Sequence, residues 1–147
     1  MGRMIGYMVT WTTYGSWLQG DKRGYVTDGK IYGGDLKLKG ANVNNLSKSR
    51  VRLNLEERGI VKDAILKASE KYGQKIYAIA VMSNHVHIVL GNNGRNIGEM
   101  VRRYKRSGYF ALRENGFAGK VWTRGYDKRY CYDEGKLEVR MGYVSGR

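Results

Sequence analysis

KIYAIAVMSNHVHIVLG, residues 75–91, holds two apolar runs parted only by Ser83 and Asn84. Both runs are strand-length and rich in β-branched side chains, so they predict a strand over 75–82, a tight turn at 83–84 and a strand over 85–91. Strands joined so closely run antiparallel, because a parallel pair needs a crossover of a dozen or more residues. Working outward, residues 54–72 carry Ile60, Val61, Ala64, Ile65 and Ala68 at helical spacing, with Gly73 suited to the C-terminal cap. Before them, MIGYMVTWTT (4–13) alternates, and Ile5, Tyr7, Val9 and Trp11 predict a half-buried first strand.

After the hairpin, residues 96–116 predict a second helix with Ile97, Met100, Val101 and Tyr104 on its buried stripe. Residues 120–132 predict one more strand, and 133–147 a short final helix with Asp133 as N-cap. Strand, helix, strand, strand, helix, strand, helix is the order of an α+β ferredoxin-like sandwich. It comprises a central antiparallel sheet, two packing helices and an extra C-terminal helix, in a single domain over 1–147. The polar, Gly-rich stretch 28–50 reads as an irregular basic excursion.

The formal charge is 27 − 13 = +14 on 147 residues, a surplus that points to a polyanion, most often nucleic acid. Twelve tyrosines and three tryptophans among those cations suit single strands, whose bases stack on flat side chains, although most such rings belong to the core. Cys131 is the single cysteine, which excludes a disulfide framework or a Cys-based zinc site and fits a reducing cytosol. No signal peptide and no window near the ~20 apolar residues of a membrane span is visible, so a cytoplasmic protein without membrane partners is expected.

His85 and His87 are the only histidines. One valine lies between them, so on a strand both rings leave the same face, with Cα atoms roughly 7 Å apart. Val86, Ile88 and Leu90 then point to the opposite face. Two neutral imidazoles so placed can share a divalent cation and leave coordination positions open for a phosphate oxygen. The bland alternative is a pair of surface histidines, since H-x-H alone is weak. No G-x-S-x-G elbow, P-loop, HExxH helix or carboxylate cluster competes. A tyrosine hydroxyl, by contrast, can attack a polarised phosphodiester and keep the broken strand covalently attached.

Three ordered stretches resemble one family. VTWTTYGSWLQGDKRGYV (9–26) looks like the N-terminal strand and Gly-Asp-x-Arg-Gly loop of the REP-associated tyrosine transposases. VMSNHVHIVL (81–90) is similar to the metal-binding strand of single-tyrosine HUH-type insertion-sequence transposases, including the Asn before the first His. VWTRGYDKRYCYDEGKLEVRMGYV (121–144) looks like their Trp-x-x-Gly-Tyr strand and tyrosine-bearing helix. The resemblance implies a metal-dependent single-stranded DNA endonuclease and strand transferase that cuts beside hairpins, either REP-like or at insertion-sequence ends. It would act through a 5′-phosphotyrosine intermediate. Carried over, His85 and His87 are ligands for Mg²⁺ or Mn²⁺, and Tyr143 is the nucleophile. Related enzymes include monomers and dimers, so a homodimer stays open.

On the final helix, Leu137, Met141 and Val144 form the expected buried stripe and Tyr143 falls about 120° from Leu137, on the flank. Tyr104 and Tyr132 are the rival tyrosines. Insertion-sequence relatives often place a Gln four residues after the nucleophile as a third ligand. Arg147 stands there instead, so the third ligand comes from elsewhere or the helix is cut short. Arg102, Arg103, Lys105 and Arg106 are expected to contact the DNA backbone or to form a solvated helix face; Asp21 and Arg23 either shape their loop or read DNA. Two readings compete with the transposase: a DNA- or RNA-hairpin-binding module without chemistry, and a nuclease that activates water.

Overall fold

The computed structural model describes residues 4–16 and 50–146. They form β1 (Gly6–Thr12), α1 (Leu55–Lys71), β2 (Ile76–Val81), β3 (His85–Gly91), α2 (Ile97–Glu114), β4 (Asp127–Cys131) and α3 (Glu134–Ser145). All three strand pairings are antiparallel, in the order β2-β3-β1-β4. That is the ferredoxin-like sandwich expected from the element order.

Local chemistry sets the ends of the helices. Asn54 Oδ1 accepts from Glu57 N (2.8 Å) while Glu57 Oε1 accepts from Asn54 N (2.9 Å), so two amide donors at the start of α1 are satisfied reciprocally. Gly73, at φ +63°, takes the left-handed turn that ends it. Asp133 caps α3 as expected, accepting from Lys136 N at 2.8 Å.

The sheet separates two apolar layers. On one face Tyr7, Val9, Trp11, Val86, Ile88 and Leu90 pack against α1 and α2. On the other Met8, Val89 and Cys131 pack against Leu137, Val144 and the partly buried Met141 of α3. A bulge between Ile76 and Ala78 shifts β2 by one residue, so Ile76, Ile79 and Val81 face α1 and α2 while Tyr77, Ala78 and Ala80 face α3.

Two expectations are corrected. β1 is buried on both faces rather than one, because α3 covers the second face. Residues 120–126 are not strand: a lone bridge joins Thr13 to Trp122, and the ammonium of Lys105 donates to the carbonyls of Thr123 (2.8 Å) and Gly125 (3.0 Å). A side chain thus supplies partners that a neighbouring strand would otherwise give.

Gly6 sets how closely α3 seats. A Cβ there would lie 2.6 Å from the Leu90 carbonyl oxygen and 3.2 Å from Leu137 Cδ1. Gly6→Ala is therefore expected to lower stability by about 1–3 kcal/mol through overpacking, read as a lower urea midpoint. The buried core of α2 is pinned by a polar chain: Tyr104 Oη donates to Gln74 Oε1 (2.6 Å), and Gln74 Nε2 donates to the Gly91 carbonyl (2.7 Å). Tyr104→Phe leaves the buried Gln74 oxygen without its donor and should cost about 1–3 kcal/mol, measured in the same way.

Candidate active site

The α3-facing side of β3 carries His85 and His87, with ring centroids 4.4 Å apart. His87 sits opposite Thr10 of β1 and Ala80 of β2, in the middle of the sheet, so its backbone is held on both sides. Val86, Ile88 and Leu90 face the other layer, fully buried, as the alternation requires.

Each ring is oriented through Nδ1. His85 Nδ1 lies 2.7 Å from Asn84 Oδ1, an oxygen that can only accept, so Nδ1 carries the proton and Nε2 keeps its lone pair. His87 Nδ1 lies 2.9 Å from Thr10 Oγ1; when that nitrogen donates, the second Nε2 is likewise left as a donor atom for a metal. Burial lowers the pKa of His85. Burial, and then the neighbouring His85, push that of His87 down to about 4. Both rings are therefore neutral at pH 7, as metal ligands must be. Two half-buried, neutral imidazoles, each oriented through Nδ1, fit a divalent cation at an open site. Among the described residues no group of three or more His, Cys, Asp or Glu could enclose one.

The third element is α3. Leu137 and Val144 anchor it to the sheet, which leaves Tyr143 on the flank, 60% exposed. Its ring meets His87 edge-on, centroids 5.5 Å apart and planes at 78°. The tyrosine of the same chain therefore reaches the histidine pair.

The sequence model of the family described as "Transposase IS200 like" matches residues 43–147. The chain belongs to the IS200-like transposase family. Among solved structures, a REP-associated tyrosine transposase bound to a REP hairpin aligns with a TM-score of 0.60 at 11% identity, over 98% of this chain and 67% of that one. A candidate transposase from Deinococcus radiodurans R1 aligns with a TM-score of 0.52 at 14% identity, over 99% of this chain and 92% of that one. At such identities the likeness shows the shared fold. A search of curated proteins found no match.

In this IS200-like transposase the rival tyrosines lie elsewhere. Tyr104 is fully buried in the α1–α2 layer, and burial raises its pKa. Tyr132 follows Cys131, the β4 residue paired with Gly6 at the end of β1 far from the histidines. Its ring lies beside Tyr130, which contacts Tyr7 on the α1–α2 face. The cations of α2 are also on that face. Arg102 and Arg106 are exposed, and Arg103 is paired with Glu99 at 2.9 Å. Lys105 holds the 123–125 backbone. The sheet thus stands between these residues and the histidines. Asp21, Arg23 and Arg147 lie outside the described residues. Among the described residues no helix is long and apolar enough to cross a membrane.

Sequence reasoning missed Thr10. It lies on β1, about 77 residues from His87 in the chain, and only the strand register places it there; its signal was two threonines, Thr10 and Thr12, on one face of a strand whose other face is apolar.

Proposed function

We propose that this transposase cuts and rejoins single-stranded DNA beside hairpins, with Tyr143 as nucleophile and His85 and His87 as ligands of Mg²⁺ or Mn²⁺. The observation that carries the reading is the edge-on approach of the Tyr143 ring to His87, beside the paired ring of His85. The family is one of transposases, and one protein of the same fold is bound to a REP hairpin. The charge of +14 suits a DNA partner.

Tyr143 Oη would attack the scissile phosphorus and release its proton to solvent. The bond from phosphorus to the 3′ oxygen breaks, that oxygen leaves and takes up a proton, and the 5′ phosphate stays on the tyrosine. The phosphodiester bond energy is kept in the phosphotyrosine, so a later 3′-hydroxyl can reverse the step on a new strand. When bound, a divalent cation polarises the phosphate and offsets its developing charge. His85 and His87 would hold it, with Asn84 and Thr10 orienting their rings, and α3 holds Tyr143 beside His87.

The test incubates labelled hairpin DNA with the protein and Mg²⁺ or Mn²⁺, followed by a denaturing gel. A covalent protein–DNA band is the expected result. Cleavage without that band would point to activated water. Tight binding with no cleavage in either metal would favour the hairpin-binding module. Thr10→Val, which removes the His87 partner but keeps the shape, is expected to weaken Mn²⁺ affinity about 10- to 100-fold, measured by calorimetric titration.

A further inference from the structure

The charged residues of α3 are sorted by side rather than paired. At about 100° per residue from Leu137, Arg140, Lys136 and Tyr143 fall about 60°, 100° and 120° to one side, while Glu134 and Glu138 fall about 60° and 100° to the other. Lys136 with Arg140, and Glu134 with Glu138, are therefore like-charged pairs four residues apart, an arrangement that works against an isolated helix. No ion pair relieves the first of them: among the described residues neither Lys136 nor Arg140 has an acidic partner. Lys136 is exposed and Arg140 half-buried. Burial raises the pKa of Cys131 on β4 and the charge of Arg140 lowers it, so this flank of α3 looks toward β4. Arg129 stands there on the same side of the sheet, opposite Met8, but its Nε already lies 3.6 Å from Asp127 Oδ2.

A merely solvated helix face gains from Glu and Lys four residues apart. A stripe of one sign that ends on Tyr143, beside His87, gains instead from an anion lying along it. The rise of about 1.5 Å per residue sets Arg140 and Lys136 roughly 4.5 and 10.5 Å from Tyr143 along the helix axis, within reach of the phosphates next to the one attacked. We infer that Arg140 and Lys136 grip the backbone of the DNA strand that passes Tyr143, as positioning residues carried on the same helix as the nucleophile. The inference rests on the proposed role of Tyr143. Phosphate contacts position a strand without reading its bases, so the stripe acts on any sequence. Because one helix bears all three residues, any shift of α3 moves the gripped strand and the nucleophile together.

The test measures binding of a labelled hairpin with unpaired flanks, in EDTA so that no cleavage intervenes. Lys136→Gln with Arg140→Gln should weaken binding roughly 10- to 100-fold near 0.1 M salt, and should lower the slope of log affinity against log salt by about 1.4 to 2. The melting temperature should not fall, since a like-charged pair is relieved. Glu134→Gln with Glu138→Gln, on the opposite flank, should leave the slope as in wild type. Combining the four changes restores the net charge of +14 and should not restore the slope. Full recovery of affinity and slope in that combination would reveal a long-range field and overturn the grip, as would an unchanged slope in the first pair. With Mn²⁺ present, the DNA concentration for half-maximal covalent band should rise by the same factor as the binding constant. A concentration that stays put while binding weakens would place the contacts away from the strand being cut and overturn the inference. If wild type forms no covalent band yet the slope falls as stated, the tyrosine chemistry fails and the grip stands; a wild-type band with an unchanged slope keeps the chemistry and removes the grip.

Discussion

Tyr143→Phe is expected to abolish the covalent protein–DNA band and leave the fold and DNA binding in place. The substitution removes one oxygen and keeps the ring. That ring is 60% exposed, and its contact is the edge-on approach to His87, which a phenyl ring reproduces. Stability should therefore change by no more than about 0.5 kcal/mol, as for an ordinary surface substitution. The chemistry has no such tolerance, because a missing nucleophile leaves nothing to carry the 5′ phosphate. The rate of band formation should fall roughly 10⁴-fold or more. Tyr132→Phe is the matched control, since that ring lies on the other face of the sheet at its far end, and it should keep the wild-type rate. A band that persists in Tyr143→Phe would move the nucleophile to another residue and take α3 out of the mechanism.

His87→Ala should produce the second large loss, by a different route. A cation at a phosphoryl centre supplies several kcal/mol of charge stabilisation, so losing it corresponds to about 10²- to 10⁴-fold in cleavage rate. Affinity for DNA should survive, because phosphate contacts spread over many basic residues supply most of it. Two readouts separate a lost ligand from a damaged fold. Mn²⁺ should raise the melting temperature of wild type, by binding the native state alone, but not that of His87→Ala. The salt dependence of DNA binding should be the same in both proteins. Cleavage by His87→Ala at the wild-type rate, with the same response to Mn²⁺, would remove the metal from the proposed mechanism.

The two effects come from one arrangement, and its parts were legible to different degrees. The order of the elements followed from hydrophobic periodicity, because burial on one side of a strand or helix imposes a period that local sequence must obey. The common face of His85 and His87 followed from the same rule, since alternation along a strand is a property of the backbone. The buried stripe of Leu137, Met141 and Val144, with Tyr143 beside it, was likewise legible from helical geometry. Residues 120–126 misled, because Val121, Trp122 and Tyr126 have strand chemistry but Lys105, from the preceding helix, takes up the carbonyls of Thr123 and Gly125.

By itself, then, the sequence determined the elements, the two faces of each and the residue types able to do phosphoryl chemistry, because these depend on neighbours a few positions away. The tertiary structure alone decided that α3 lies over the histidine face and brings Tyr143 to His87. It also decided that Thr10 orients that ring and that the arginines of α2 stand on the opposite side of the sheet. Those placements rest on contacts between segments far apart in the chain, such as Leu137 against a glycine at position 6. Packing of that kind is selected by the shape of the whole core, and no local period encodes it.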